Sequence, residues 1–260
     1  MKLLDAENAM NILLINPNTS QSVSDLIEAE AQRAAAPGTR IRVLTAPFGV
    51  AYIETRFESL IGAYATATLA AEHSDAHDAI VVAAFGDPGI DGLREVLDIP
   101  VVGLTEAALM SACLLGKRFS IVAISHRITA WYRECVQANG LSERLASIRN
   151  LDNPLQDIGR VQEDHTARLE ALCLSAVQDD GADVIVIAGA PLAGLARSIR
   201  ERIPVPVVDG VSSAVCHAQT LVSLGTLPAR QGSFAPPPRK PNHGLPEGIA
   251  RLLARERTQR

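Results

Sequence analysis

Short, wholly apolar runs alternate along the chain with longer stretches whose apolar positions recur at helical spacing. In the first half, residues 12–15, 41–44, 80–84 and 101–102 predict strands, and residues 22–35, 55–72, a short segment ending at Leu97, and 106–115 predict helices. Apolar runs of strand length without polar alternation fit strands buried on both faces, as in a parallel sheet covered by helices. The second half repeats the order, with strands at 119–124, 146–149, 184–188 and 207–208. Its helices are expected up to the Asn139-Gly140 stop, over 161–178, over 192–202, and over 212–224, the last closing the second lobe. Asn18, Thr19 or Ser20 caps the first helix. Residues 228–246, with Pro236-Pro237-Pro238, predict an extended connector, and 249–257 a short Arg-rich helix.

The two halves are copies of one unit. Asp78-Ala-Ile-Val-Val-Ala-Ala84 and a Gly/Pro turn lead through a helix to Pro100-Val101-Val102, while Asp183-Val-Ile-Val-Ile-Ala-Gly189 and another such turn lead to Pro206-Val207-Val208. A repeat of about 105 residues is domain-sized, too long for a solenoid. The expected fold is α/β, with two pseudo-symmetric lobes, each a mostly parallel four-stranded sheet flanked by helices. The first lobe is read as residues 1–116, with the 226–260 tail packing back on it, and the second as 117–225. Ligands of parallel sheets bind at strand ends, so the active site is expected in the interlobe cleft.

Composition narrows the partners. A net charge of −5 with no Lys/Arg-dense face argues against nucleic acid, and no apolar run approaches the length of a membrane span. The acidic start, with Asp5 and Glu7, lacks the plan of a secretory signal, which places the protein in the cytoplasm. Only 3% of residues are aromatic, so Ala, Val, Ile and Leu must build the core. The many Ala-rich helix faces suggest a homo-oligomer. The four cysteines, at 113, 135, 173 and 216, have no CxxC spacing and fall inside helical segments.

Candidate chemistry sits at strand ends. Asn16 offers a donor and an acceptor to a small carboxylate, amide or imide, or else makes an Asx turn before Pro17. The backbones of Phe85-Gly86 and Ala190-Pro191 open helices where free N–H groups meet anions. Ala84, Gly189, Ser125 and Phe48 complete the expected small-molecule binding set. His126 is expected to face the cleft, and Glu54 and Asp87 are loop carboxylates; these three are the candidate acid/base groups. Thr105, Glu106 and Asp209 are further polar residues at strand ends, Asp209 also suiting a helix cap, and His217 lies within the last helix. No spacing supports a metal site.

Leu14-Ile-Asn-Pro-Asn-Thr-Ser20, Phe85-Gly-Asp-Pro-Gly89, Phe119-Ser-Ile-Val122 and Val207-Val-Asp-Gly-Val-Ser-Ser-Ala214 together resemble the Asp/Glu/hydantoin racemase superfamily, most of all its hydantoin and allantoin racemase branch. The resemblance spans about residues 12–225. It implies two pseudo-symmetric lobes, no cofactor, and one cysteine at the third-strand end of each lobe, one thiolate removing the α-proton and the other thiol returning one to the opposite face. Those positions fall on Ala84 and Gly189. Three readings follow: non-thiol lyase or hydrolase chemistry on a hydantoin-like ring or carboxylate, racemisation by substitute bases, or ligand binding without turnover.

Overall fold

The structure is a computed structural model that describes residues 9–151, 158–225 and 229–254. Strands β1 (Met10–Asn16), β2 (Thr39–Thr45), β3 (Ala79–Val82) and β4 (Val101–Gly103) form one sheet in the order β2-β1-β3-β4. Strands β5 (Phe119–Ala123), β6 (Leu145–Asn150), β7 (Val184–Ile187) and β8 (Val207–Asp209) form a second in the equivalent order β6-β5-β7-β8. Every pairing is parallel. Ile12 to Ile15 and Ile80 to Val82 are wholly inaccessible, as apolar runs covered on both faces require.

The helices are α1 (Gln21–Ala34), α2 (Arg56–His73), α3 (Ile90–Val96), α4 (Leu104–Leu115), α5 (Thr129–Ala138), α6 (Val161–Asp180), α7 (Leu195–Ile199), α8 (Gly210–Ser223) and α9 (Glu247–Ala254). Their ends follow local chemistry. Ser20 caps α1 by accepting from the Val23 N–H, and Thr55 and Glu58 form a reciprocal capping box on α2. Gly181, in the left-handed region at φ +67°, ends α6.

The two units exchange helices. Val211, Ala214, Val215 and Ala218 of α8 pack with Ile12, Leu14 and Val81 of the first sheet, so this helix does not close its own unit as its position in the chain suggested. Ala108, Leu109 and Ala112 of α4 pack in turn with Phe119, Ile121, Val184 and Val186 of the second sheet. An apolar helix face is satisfied by either sheet, and the exchange packs one helix of each unit on the other unit's sheet. Gln219 of α8 fixes the arrangement by accepting from the Ala36 N–H at 2.8 Å and the Thr39 hydroxyl at 3.0 Å.

Beyond α8, Gly248 of α9 lies against Ala71 of α2, and Leu252 packs on the core around Leu13 and Leu69. The start of the expected connector and the end of the last expected helix lie outside the described residues. No described helix is long and apolar enough to cross a membrane.

Candidate active site

Both sheets reverse strand order between their first and third strands, and such switch points open a crevice at the carboxyl ends of the strands. The crevices of the two sheets meet. Together they form one cleft enclosing about 460 Å³ of empty space, part of it open to solvent. The first unit contributes Asn18, Tyr52, Ile53, Glu54, Ala84 and Phe85. The second contributes Ile124, Ser125, Ile128, Tyr132, Gly189, Ala190 and Pro191.

One polar pair joins the two walls. Ser125 follows β5, and its hydroxyl accepts from the Arg127 N–H at 3.2 Å to start the tight turn 126–128. That leaves its own proton for the Glu54 carboxylate, to which it donates. The Tyr52 hydroxyl lies 3.5 Å from the other Glu54 oxygen, and the largely exposed Arg127 guanidinium 3.9 Å from it. Desolvation, then the nearby Glu54, pushes the Tyr52 phenol above its ordinary value. Across the cleft floor, burial holds the Tyr132 phenol far above its ordinary range, so it remains a neutral donor.

Ala84 and Gly189 each lie two residues past the third strand of their sheet, β3 and β7, and present no ionisable side chain. None of the four cysteines lines the cleft. Cys135 is one turn from Tyr132 on α5, and its thiol is pushed up to about 12 by desolvation, then by Asp87 and Glu134. Such a thiol stays protonated and is a poor nucleophile.

Several residues expected at the site lie elsewhere. Asn16 is wholly buried: its amide donates to the Asn18 oxygen, the Ser20 carbonyl and the Ser24 hydroxyl at 3.0–3.2 Å, and its oxygen accepts from the Asn18 N–H. The Asx turn therefore consumes Asn16 and hands the cleft position to Asn18. His126 is exposed and does not line the cleft, because Ser125 caps the turn and the chain changes direction before the imidazole. Phe48 is partly exposed against Tyr64, ring centroids 5.8 Å apart, outside the cleft lining. Gly86 donates its N–H to the Thr105 hydroxyl at 2.6 Å and packs under Trp131.

Asp87 is turned from the cleft to the start of α4, where its carboxylate accepts from the Thr105 and Glu106 N–H groups at 2.8 and 3.0 Å. Glu106 in turn pairs with Arg94. Asp209 caps α8, and His217 meets the Ser111 hydroxyl at 3.1 Å. No group of three or more His, Cys, Asp or Glu side chains that could hold a metal ion occurs among the described residues. Asn18, Tyr52 and Tyr132 were not anticipated. Asn18 and Tyr132 carried a signal, since Asn18 is the second asparagine of the Asn-Pro-Asn turn and Tyr132 stands four residues after Ile128 on the helix that follows Ser125.

Two parallel α/β units joined by exchanged helices around a small cleft define a class of two-lobed enzymes. Residues 12–218 match the Asp/Glu/Hydantoin racemase family, and the chain belongs to it. It is 37% identical to a hydantoin racemase of Paenarthrobacter aurescens over 89% of this chain and 99% of that one. Its fold is similar to that of an allantoin racemase from Klebsiella pneumoniae, with a TM-score of 0.88, 32% identity, and coverage of 92% and 98% of the two chains. An arylmalonate decarboxylase shares the fold alone, at a TM-score of 0.60 and 16% identity over 83% of this chain and 94% of that one.

Proposed function

We propose that this racemase-family enzyme acts without a cofactor on a small hydantoin-like ring or carboxylate, by one-sided general-base chemistry of the lyase or hydrolase type in place of two-thiol racemisation. The observation that carries this reading is the Glu54 and Ser125 pair in a cleft whose two strand ends, Ala84 and Gly189, hold no acid or base. Racemisation needs proton-transfer groups on both faces of a planar intermediate, and Glu54 is the single carboxylate among the described residues that line this cleft. Glu54 takes a proton from a water molecule or from the substrate, and Ser125 orients it. The negative charge that develops on a substrate oxygen is met by backbone N–H groups. Those of Phe85 and Ala190 donate to no other described residue, which supports that role. Asn18 offers its amide from one rim and Tyr132 a neutral hydroxyl from the floor. We read residues 1–116 and 117–225 as the two units, so the two walls of this site belong to different units.

The relatives named for hydantoin and allantoin racemisation support the substrate class. Each enantiomer of several 5-substituted hydantoins, incubated with the protein in deuterated water, is to be followed by optical rotation and NMR. Opening of the ring by water to an N-carbamoyl amino acid, insensitive to iodoacetamide, is the expected result. Interconversion of enantiomers with solvent deuterium at the α-carbon would instead establish a racemase with substitute bases, and binding with no change of the ligand would establish a non-catalytic protein.

A further inference from the structure

The two turns that line the cleft are each tied to a helix N-terminus by one carboxylate, and the ties run in opposite directions. In the first unit the carboxylate belongs to the turn. Asp87, at φ +48° among the few conformations open to a non-glycine residue there, reaches the first turn of α4 through the Thr105 and Glu106 N–H groups. Thr105 answers by accepting from Gly86, so turn and helix are linked twice. In the second unit the carboxylate belongs to the helix. Asp209 accepts from the Val211 and Ser212 N–H groups of α8 at 2.8 and 3.0 Å, and its other oxygen accepts at 2.8 Å from Gly194, which ends the turn 189–194 whose first residues, Gly189 to Pro191, line the cleft.

Capping alone does not explain these groups. Helices α1 and α2 are capped by Ser20 and Thr55, neutral residues that meet the same need without enclosing a charge. The Asp87 carboxyl is tightly packed, since a methyl group at Gly103 would fall 2.2 Å from its carbon, and Asp209 is 7% exposed. Helices α4 and α8 also cover the opposite sheets, so a turn pinned to either helix is fixed relative to both walls of the cleft.

We propose that Asp87 and Asp209 are positioning residues, each holding the backbone of its own cleft turn, 84–86 in the first unit and 189–194 in the second, against a helix shared between the units. The proposal rests on the cleft being the substrate site argued above. The ionisable groups acting on Asp87 are Glu106 with its partner Arg94, Tyr132 and Cys135; those acting on Asp209 are Glu30 and Arg197.

Amide exchange of the ligand-free protein, read residue by residue by NMR in D87N and D209N, tests the tie. Loss of a charge-assisted hydrogen bond is expected to speed exchange by about tenfold or more at its own donors. D87N should speed Thr105, Glu106 and Gly86 and shift the Ala84 and Phe85 resonances while Gly189 to Gly194 keep their values; D209N should do the reverse. Equal effects on both turns, or none, would overturn the proposal. Should a variant fail to fold, a pH titration of the unaltered protein serves: the Thr105, Glu106, Phe85 and Gly86 resonances should move with one midpoint, and independent midpoints or none would overturn it. Where hydantoin turnover is measurable, its pH profile should lose the limb due to Asp87 in D87N and keep it in D209N. Absence of turnover would count against the functional reading alone, leaving the amide pattern to decide this one.

Discussion

Ser125, two residues past β5, donates its hydroxyl proton to the Glu54 carboxylate, which stands in the loop ahead of α2, so this hydrogen bond links the two sheet units across the cleft. Positioned general bases contribute roughly 10²- to 10⁴-fold to rate. Glu54→Gln keeps the shape and removes the proposed base, and is expected to lower kcat/KM on a processed hydantoin by at least about 100-fold. Ser125→Ala should cost less, about tenfold, because the base survives without its orienting partner. Steady-state kinetics of both variants checks the order, and a Ser125→Ala loss exceeding that of Glu54→Gln would reassign the base.

The cleft also predicts what thiols placed at Ala84 and Gly189 would do. Ala84→Cys places a side chain on ordinary backbone, whereas Gly189 sits at φ +114°, a conformation side chains rarely adopt. The nearest atom to an added Cβ at Gly189 is 3.7 Å away, so the cost there is backbone strain and not collision. Gly189→Cys should lose about 1–3 kcal/mol in denaturant unfolding, and Ala84→Cys less. The double variant is expected to gain iodoacetamide-sensitive exchange of the hydantoin α-proton with solvent deuterium. Retention of iodoacetamide-insensitive chemistry alone would show that the cleft geometry does not present these positions to the substrate.

Much of this architecture could be read from residue order. The strands at 12–15 and 80–84 were plain because uninterrupted apolar runs have no solvent face to offer. Ala84 and Gly189 stood out because the repeat aligns them. The destination of α8 was hidden, since its apolar face is equally suited to either sheet and only tertiary packing chooses. Side-chain direction just past a strand was hidden too. Asn16 and Asn18, or Ser125 and His126, are close neighbours in the chain, and a turn hydrogen bond decided which of each pair meets the cleft.

The Asn16 network makes a separate prediction about stability. Its amide nitrogen faces three oxygens, on Asn18, Ser20 and Ser24, and the Ser24 hydroxyl is shared onward with Thr45 at 2.6 Å. Asn16→Ala strands these wholly enclosed partners and should cost about 2 kcal/mol. Asn16→Asp is nearly isosteric but turns an oxygen toward other oxygens, so it should be the more damaging of the two. Urea unfolding of both variants tests this, and an Asp variant as stable as the Ala variant would mean that the donor is not what the site requires.

Asp87 sets a pH dependence whose sign follows from its surroundings. Desolvation raises its carboxyl from 3.8 to about 7, the Glu106 carboxylate adding to the rise and the Thr105 and Glu106 N–H groups opposing it. The folded chain therefore binds this proton more tightly than the unfolded chain. Between pH 4 and about 7 the unfolded state carries fewer protons at this site, so stability falls as pH rises through that window and levels off above it. The expected loss from this group is roughly 2 kcal/mol, below the ideal linkage value because the residue keeps partial solvent exposure. Asp87→Asn carries no charge at any pH and should flatten that part of the curve. Urea midpoints measured for both proteins from pH 4.5 to 8.5 check the claim, and parallel curves would show that another group, with Asp209 next in line since burial raises it too, carries the dependence.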